Sequence, residues 1–160
     1  LYEVDIQIDD APPPLVPANN WDCHTYSSGL LNAPITDLTT VGFPLNAAVN
    51  GTVTHVSLYN LRLTHNWLSD VVFGLQAPDG TVESLFAFQD QGFFTWCGGG
   101  DCLISLDDRA QPGLIPPQFP NTPDAAYLPT RGSFAPFNGM SSAGEWTLLV
   151  TDQGPSGDFG

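Results

Sequence analysis

The chain has 160 residues, enough for one domain with a hydrophobic core and short for two. Its formal net charge is −14, and Arg62, Arg109 and Arg131 are its only Lys or Arg residues. That balance excludes nucleic acid and anionic membrane surfaces as partners, because almost nothing is present to neutralise phosphates. With 16 Gly and 15 Pro, and no apolar run long enough to insert in a membrane, the pattern predicts short strands between turns. The expected fold is an all-β, jelly-roll-like sandwich.

Residues 1–10 alternate cleanly. Tyr2, Val4, Ile6 and Ile8 share one face, and Glu3, Asp5, Gln7 and Asp9 share the other, which predicts a strand with one buried face. No hairpin partner is evident beside it. Residues 11–20 follow as a spacer in which Pro12, Pro13, Pro14 and Pro17 remove backbone donors and favour polyproline II. At about 3.1 Å per residue this spacer reaches roughly 30 Å, near the diameter of a domain of this size.

Residues 21–50 read as irregular, with short apolar pieces. Residues 52–63 read as a long strand. Val56 and Leu58 mark one face, while Tyr59, Leu61 and Leu63 mark the other, so the change of phase predicts a bulge near Leu58 and Tyr59. Residues 71–75 form the next strand, with Val71, Phe73 and Leu75 inward; Pro78-Asp79-Gly80-Thr81 turns the chain back into a strand over 82–88. Residues 106–139 are loop-rich. Trp146, Leu148 and Val150 alternate with Thr147, Leu149 and Thr151 in a last strand, and residues 152–160 form a turn-rich segment that calls for a second arm. The expected organisation is a candidate donor strand (1–10), a spacer (11–20) and one sandwich (21–160).

Cys97 and Cys102 flank Gly98-Gly99-Gly100-Asp101, a loop flexible enough for the two sulfurs to meet in a disulfide; two reduced thiols are the alternative. Cys23 is left over, either as a thiol or as one half of an intermolecular bond. Asn50-Gly51-Thr52 is an N-glycosylation sequon in a polar loop. The chain begins with Leu and shows no signal peptide, the expectation for a processed form that is secreted or held at the cell surface.

Several blocks occur in a characteristic order. Residues 56–71 run Val-Ser-Leu-Tyr-Asn-Leu-Arg-Leu-Thr-His-Asn-Trp-Leu-Ser-Asp-Val, a strand followed by His65, Trp67 and Asp70. Leu75-Gln76-Ala77-Pro78-Asp79-Gly80-Thr81 comes next, then the acidic turn Leu106-Asp107-Asp108-Arg109-Ala110. Phe137-Asn138-Gly139 and Gly144-Glu145-Trp146-Thr147-Leu148 close the series, with Asp152 and Asp158 after them. Over roughly residues 25–160 the chain resembles the P domain, the β-sandwich that follows the catalytic domain in proprotein convertases and many secreted bacterial subtilisin-like proteases. It departs from that family in two ways: no catalytic domain is present, and the final strand that normally follows the position of Gly160 is missing. The resemblance implies a non-catalytic domain. It also implies bound Ca²⁺, for which Asp70, Asp107, Asp108, Asp152 and Asp158 are the candidate oxygen ligands; solvated acidic turns are the competing explanation.

His65 and Asp70 suggest half of a catalytic relay, but no nucleophile completes it, and a paired polar motif at a strand end explains them better. Cys23, His24, His55 and His65 lack any zinc spacing. Trp21, Trp67 and Trp96 offer stacking faces for a carbohydrate, though aromatic packing in the core is the commoner use. Burying Tyr2, Val4, Ile6 and Ile8 contributes about 6–12 kcal/mol gross. The strand can fold back into its own sandwich and fill the vacant position in cis; the spacer and its reach favour burial in a neighbouring copy instead, which is strand addition in a head-to-tail, open arrangement. The sequence therefore favours a non-enzymatic subunit of an extracellular filament, whose partners are copies of itself and glycans. The alternative is an accessory P domain of a secreted subtilisin-like protease.

Overall fold

The computed structural model describes residues 3–11, 22–65, 67–88, 102–110 and 126–154. Nine strands lie along them: β1 (Glu3–Ala11), β2 (Asp22–Ser27), β3 (Thr40–Ala47), β4 (Thr52–Leu63), β5 (Val71–Gln76), β6 (Val82–Ala87), β7 (Cys102–Leu106), β8 (Ala126–Tyr127) and β9 (Gly144–Asp152). They form a five-stranded sheet in the order β2-β1-β4-β7-β8 and a four-stranded sheet in the order β3-β9-β5-β6. The two pack face to face as an all-β sandwich. Short 3₁₀ turns at Leu68–Asp70 and Ala135–Phe137 are the helical elements among the described residues, and none is long and apolar enough to cross a membrane.

The core follows from period-two alternation. Ile6 and Ile8 of β1 and Val56 and Leu58 of β4 point inward from the larger sheet. Phe73 and Leu75 of β5 and Trp146, Leu148 and Val150 of β9 meet them from the smaller one. Trp146 is wholly enclosed. Its indole N–H donates to the Ser142 carbonyl at 2.9 Å, and its ring meets Phe137 edge-on with centroids 5.5 Å apart. β3 tolerates Pro44 because it is an edge strand, where Pro44 faces solvent between buried Phe43 and Leu45.

The phase change predicted in β4 is a bulge. Leu58 pairs with Leu106 and Leu61 with Ile104, so Tyr59 and Asn60 together oppose Ser105. Asn60 takes a left-handed φ of 55° there, and its N–H donates to Ser105 Oγ at 3.1 Å. The hairpin β5–β6 turns where Pro78 and Gly80 lead it to, with Gly80 at φ 91° and the Ala77 N–H bonded to the Thr81 carbonyl at 2.8 Å.

Two expectations need correction. Residues 21–50 are not irregular, for they carry β2 and β3. The Asp-Cys-His-Thr-Tyr-Ser of β2 has no aliphatic alternation, and Gly42 and Pro44 interrupt that of β3. The first strand, read as lacking a hairpin partner, pairs antiparallel with β2 on one side and with β4 on the other. Tyr2, the spacer residues 12–20 and Asp158 lie outside the described residues, as does the side chain of Val4.

Candidate functional site

β1 occupies an internal slot of the larger sheet. Ile6 faces Tyr26 and Leu58 in register, and Ile8 faces His24 and Val56. Both isoleucines are 1 % exposed. The strand therefore satisfies backbone groups along both of its edges and fills the core beneath it. β9 likewise has no open flank: β3 pairs along one side and β5 along the other. A further arm after Asp152 has no place beside β9 in the smaller sheet.

One end of the sandwich is closed by a buried polar knot. His65 follows β4, and its Nδ1 accepts the Trp67 N–H at 3.1 Å. The proton consequently sits on Nε2, which donates to Asp152 Oδ2 at 3.1 Å. Asp152 Oδ1 accepts the Gly154 N–H at 2.8 Å, so both of its oxygens are engaged. The imidazole's partner is thus Asp152 and not the nearby Asp70. Asp70 accepts from Ser69 Oγ at 3.1 Å, and its carbonyl accepts the Gln153 N–H at 2.8 Å. Gly154 packs so tightly on that carboxylate that a Cβ there would clash with Asp70 Oδ2. Trp67 is 44 % exposed at this end; Trp21 and Trp96 fall outside the described residues.

A second cluster lies on the face of the larger sheet that points away from the core. His55, Ser57 and Tyr59 project there from β4, and Asp107 follows β7 beside them. Arg109 donates to Asp107 Oδ1 through its backbone N–H at 2.6 Å and through Nε at 3.3 Å, and Nη2 lies 3.3 Å from Oδ2. Tyr59 donates its hydroxyl to Oδ2 at 3.2 Å. His55 Nε2 stands 3.0 Å from Oδ1, outside ideal hydrogen-bond alignment. Burial by itself would raise the Asp107 carboxyl; His55 and the Arg109 donors outweigh it and hold the group well below the usual carboxylate range. Burial, and then the charge of Asp107, push the Tyr59 phenol up. Ser57 Oγ is enclosed and has no hydrogen-bond partner among the described residues, and solvent does not reach it. In the sequence the cluster is signalled by the acidic turn that holds Asp107 and Arg109 and by the period-two run His55, Ser57, Tyr59 on the polar face of β4.

The candidate calcium ligands divide between these two places. Asp107 and Asp108 lie near the first half of β4, and Asp70 and Asp152 lie beyond its far end, roughly 20 Å away at the rise of a strand. Asp108 accepts the Phe134 N–H at 2.9 Å. Among the described residues no three His, Cys, Asp or Glu side chains gather as a metal site would require. Asp70, Asp107, Asp108 and Asp152 each accept a local hydrogen bond.

Cys102 is buried and disulfide-bonded; Cys97 lies outside the described residues. Cys23 is an exposed thiol on β2, and Gln7 Nε2 of β1 approaches its sulfur. Asn50 is exposed in the connection between β3 and β4. Comparison with family models, with curated proteins and with solved structures finds no match to this chain.

Proposed function

We propose that the protein is a non-catalytic, secreted structural subunit that polymerises head to tail into an extracellular filament. In this reading β1 of one copy fills the slot between β2 and β4 of the next. Here β1 lies in its own sandwich, and what supports the reading is how readily a neighbour's copy could replace it there. The strand supplies Ile6 and Ile8 to the core and pairs along both edges, yet it joins the rest of the domain only through residues 12–21. A copy of the same strand makes every one of those pairings equally well, so exchange between copies costs no contact within the sandwich. The four prolines and length of that connection support a reach to a neighbour instead of a tight turn. Each copy donates once and accepts once, and a heterologous contact of this kind propagates.

The test is electron microscopy of the purified protein beside a variant lacking residues 1–10. The full chain forms fibres with a repeat near one domain diameter, and the truncated chain gives an unstable or aggregating monomer. Intact fibres from the truncated chain would sink the reading.

The accessory P-domain reading is supported by one specific observation. His65 from the strand–His–Trp–Asp block and Asp152 from the closing block meet in a buried pair. Under this reading the domain stabilises a subtilisin-like catalytic partner or binds its substrate. Co-purification of a catalytic domain from the native source favours it over the filament.

A further inference from the structure

We infer that Asn50 carries an N-linked glycan. The sequence offers the tripeptide Asn50-Gly51-Thr52, and the fold presents it in a form that a glycosyl transferase can use. The asparagine lies in the short connection between β3, which ends at Ala47, and β4, which begins at Thr52. Asn50 and Thr52 are both exposed, so the acceptor amide and the hydroxyl that defines the motif are open to solvent together. The neighbours of Asn50 use its oxygen alone: Oδ1 accepts a long 3.4 Å bond from Ser141 Oγ. No hydrogen bond among the described residues engages the carboxamide nitrogen, which is the atom to be modified.

The connection is also held from beneath, so a bulky substituent disturbs no packing. Ser142 donates to the Gly51 carbonyl at 3.0 Å and to the Val49 carbonyl at 2.9 Å, and Thr52 bridges Ser141. These contacts use the backbone of residues 49–52 and leave the Asn50 side chain outside. Val49, an apolar side chain 39 % exposed next to it, is the surface that a glycan would shade.

The chemistry balances with one co-reactant, a lipid-linked oligosaccharyl pyrophosphate. Asn50 Nδ2 bonds to the anomeric carbon, the bond from that carbon to the pyrophosphate oxygen breaks, the amide loses one proton and the lipid pyrophosphate departs. Because that donor works in export compartments, the inference rests on the secreted part of the function proposed above and not on strand exchange. Register also places Thr52 opposite Ala11, so the glycan would stand where the connection from β1 leaves the sheet.

The test is mass spectrometry of the protein from its native source, together with its cellular location. The peptide spanning Asn50 should carry hexose and N-acetylhexosamine mass, and amidase treatment should release the sugar and convert Asn50 to Asp. An N50Q variant made in the same host should lose that mass while keeping its fold. A bare Asn50 on protein recovered outside the cell overturns the glycan and leaves export standing; bare protein found only inside the cell overturns both.

Discussion

His65 Nε2 and Asp152 Oδ2 lie 3.1 Å apart with both side chains enclosed, and the bond joins the end of β4 in one sheet to the end of β9 in the other. It is a hydrogen bond to a buried charge, which makes it expensive to leave unmade. Replacing His65 with Ala strips one partner from Asp152 and leaves the Trp67 N–H without its acceptor. The expected loss is about 3 kcal/mol in a denaturant titration, with an unchanged slope. A loss below about 1 kcal/mol would mean that water repairs the gap and that the knot does not couple the sheets.

Asp107 sets the acid limit. Its carboxyl is held below the ordinary range, so its contribution is fully present above the unfolded-state value of about 4 and is lost as pH falls toward the lower, folded value. Stability should therefore decline as pH drops below about 5. Asp107→Asn should lower stability at neutral pH and flatten that acid limb. Melting curves of the two proteins that stay parallel from neutral to acid pH would remove Asp107 as a determinant.

The net charge of −14 makes copies repel one another, so attraction between subunits has to come from strand pairing and apolar burial. Fibre yield should rise as ionic strength goes from about 10 mM to about 150 mM, where the screening length shrinks from roughly 30 Å to 8 Å. Light scattering checks this. Fibres that dissolve with added salt would point to ion pairs as the contact instead of β1.

Much of this fold is legible in the sequence because its longest strands alternate strictly. β1, β4 with its bulge, the β5–β6 hairpin and β9 all follow from apolar residues at every second position. β2 is not legible, since an edge strand of Asp, Cys, His, Thr, Tyr and Ser buries too little to show a period. The polar sites are harder still. His65 stands near Asp70 in sequence but pairs with Asp152, and Asp107 gathers Tyr59 and His55 from a strand far away along the chain. Spacing identifies neighbours along one strand; only the packing of two sheets decides which distant carboxylate meets which imidazole.

Whether β1 sits in a neighbouring copy is decided by a register-matched cysteine pair. Gln7 and Ser57 are direct cross-strand partners, at a separation that a disulfide can bridge. With Cys23 replaced by Ser to remove the thiol beside Gln7, the Q7C/S57C protein is assembled, oxidised and run on a denaturing gel without reductant. Strand exchange predicts a ladder of covalent multimers that collapses to one band on reduction. A single monomer band, with the bond shown by peptide mass to lie within one chain, would contradict it.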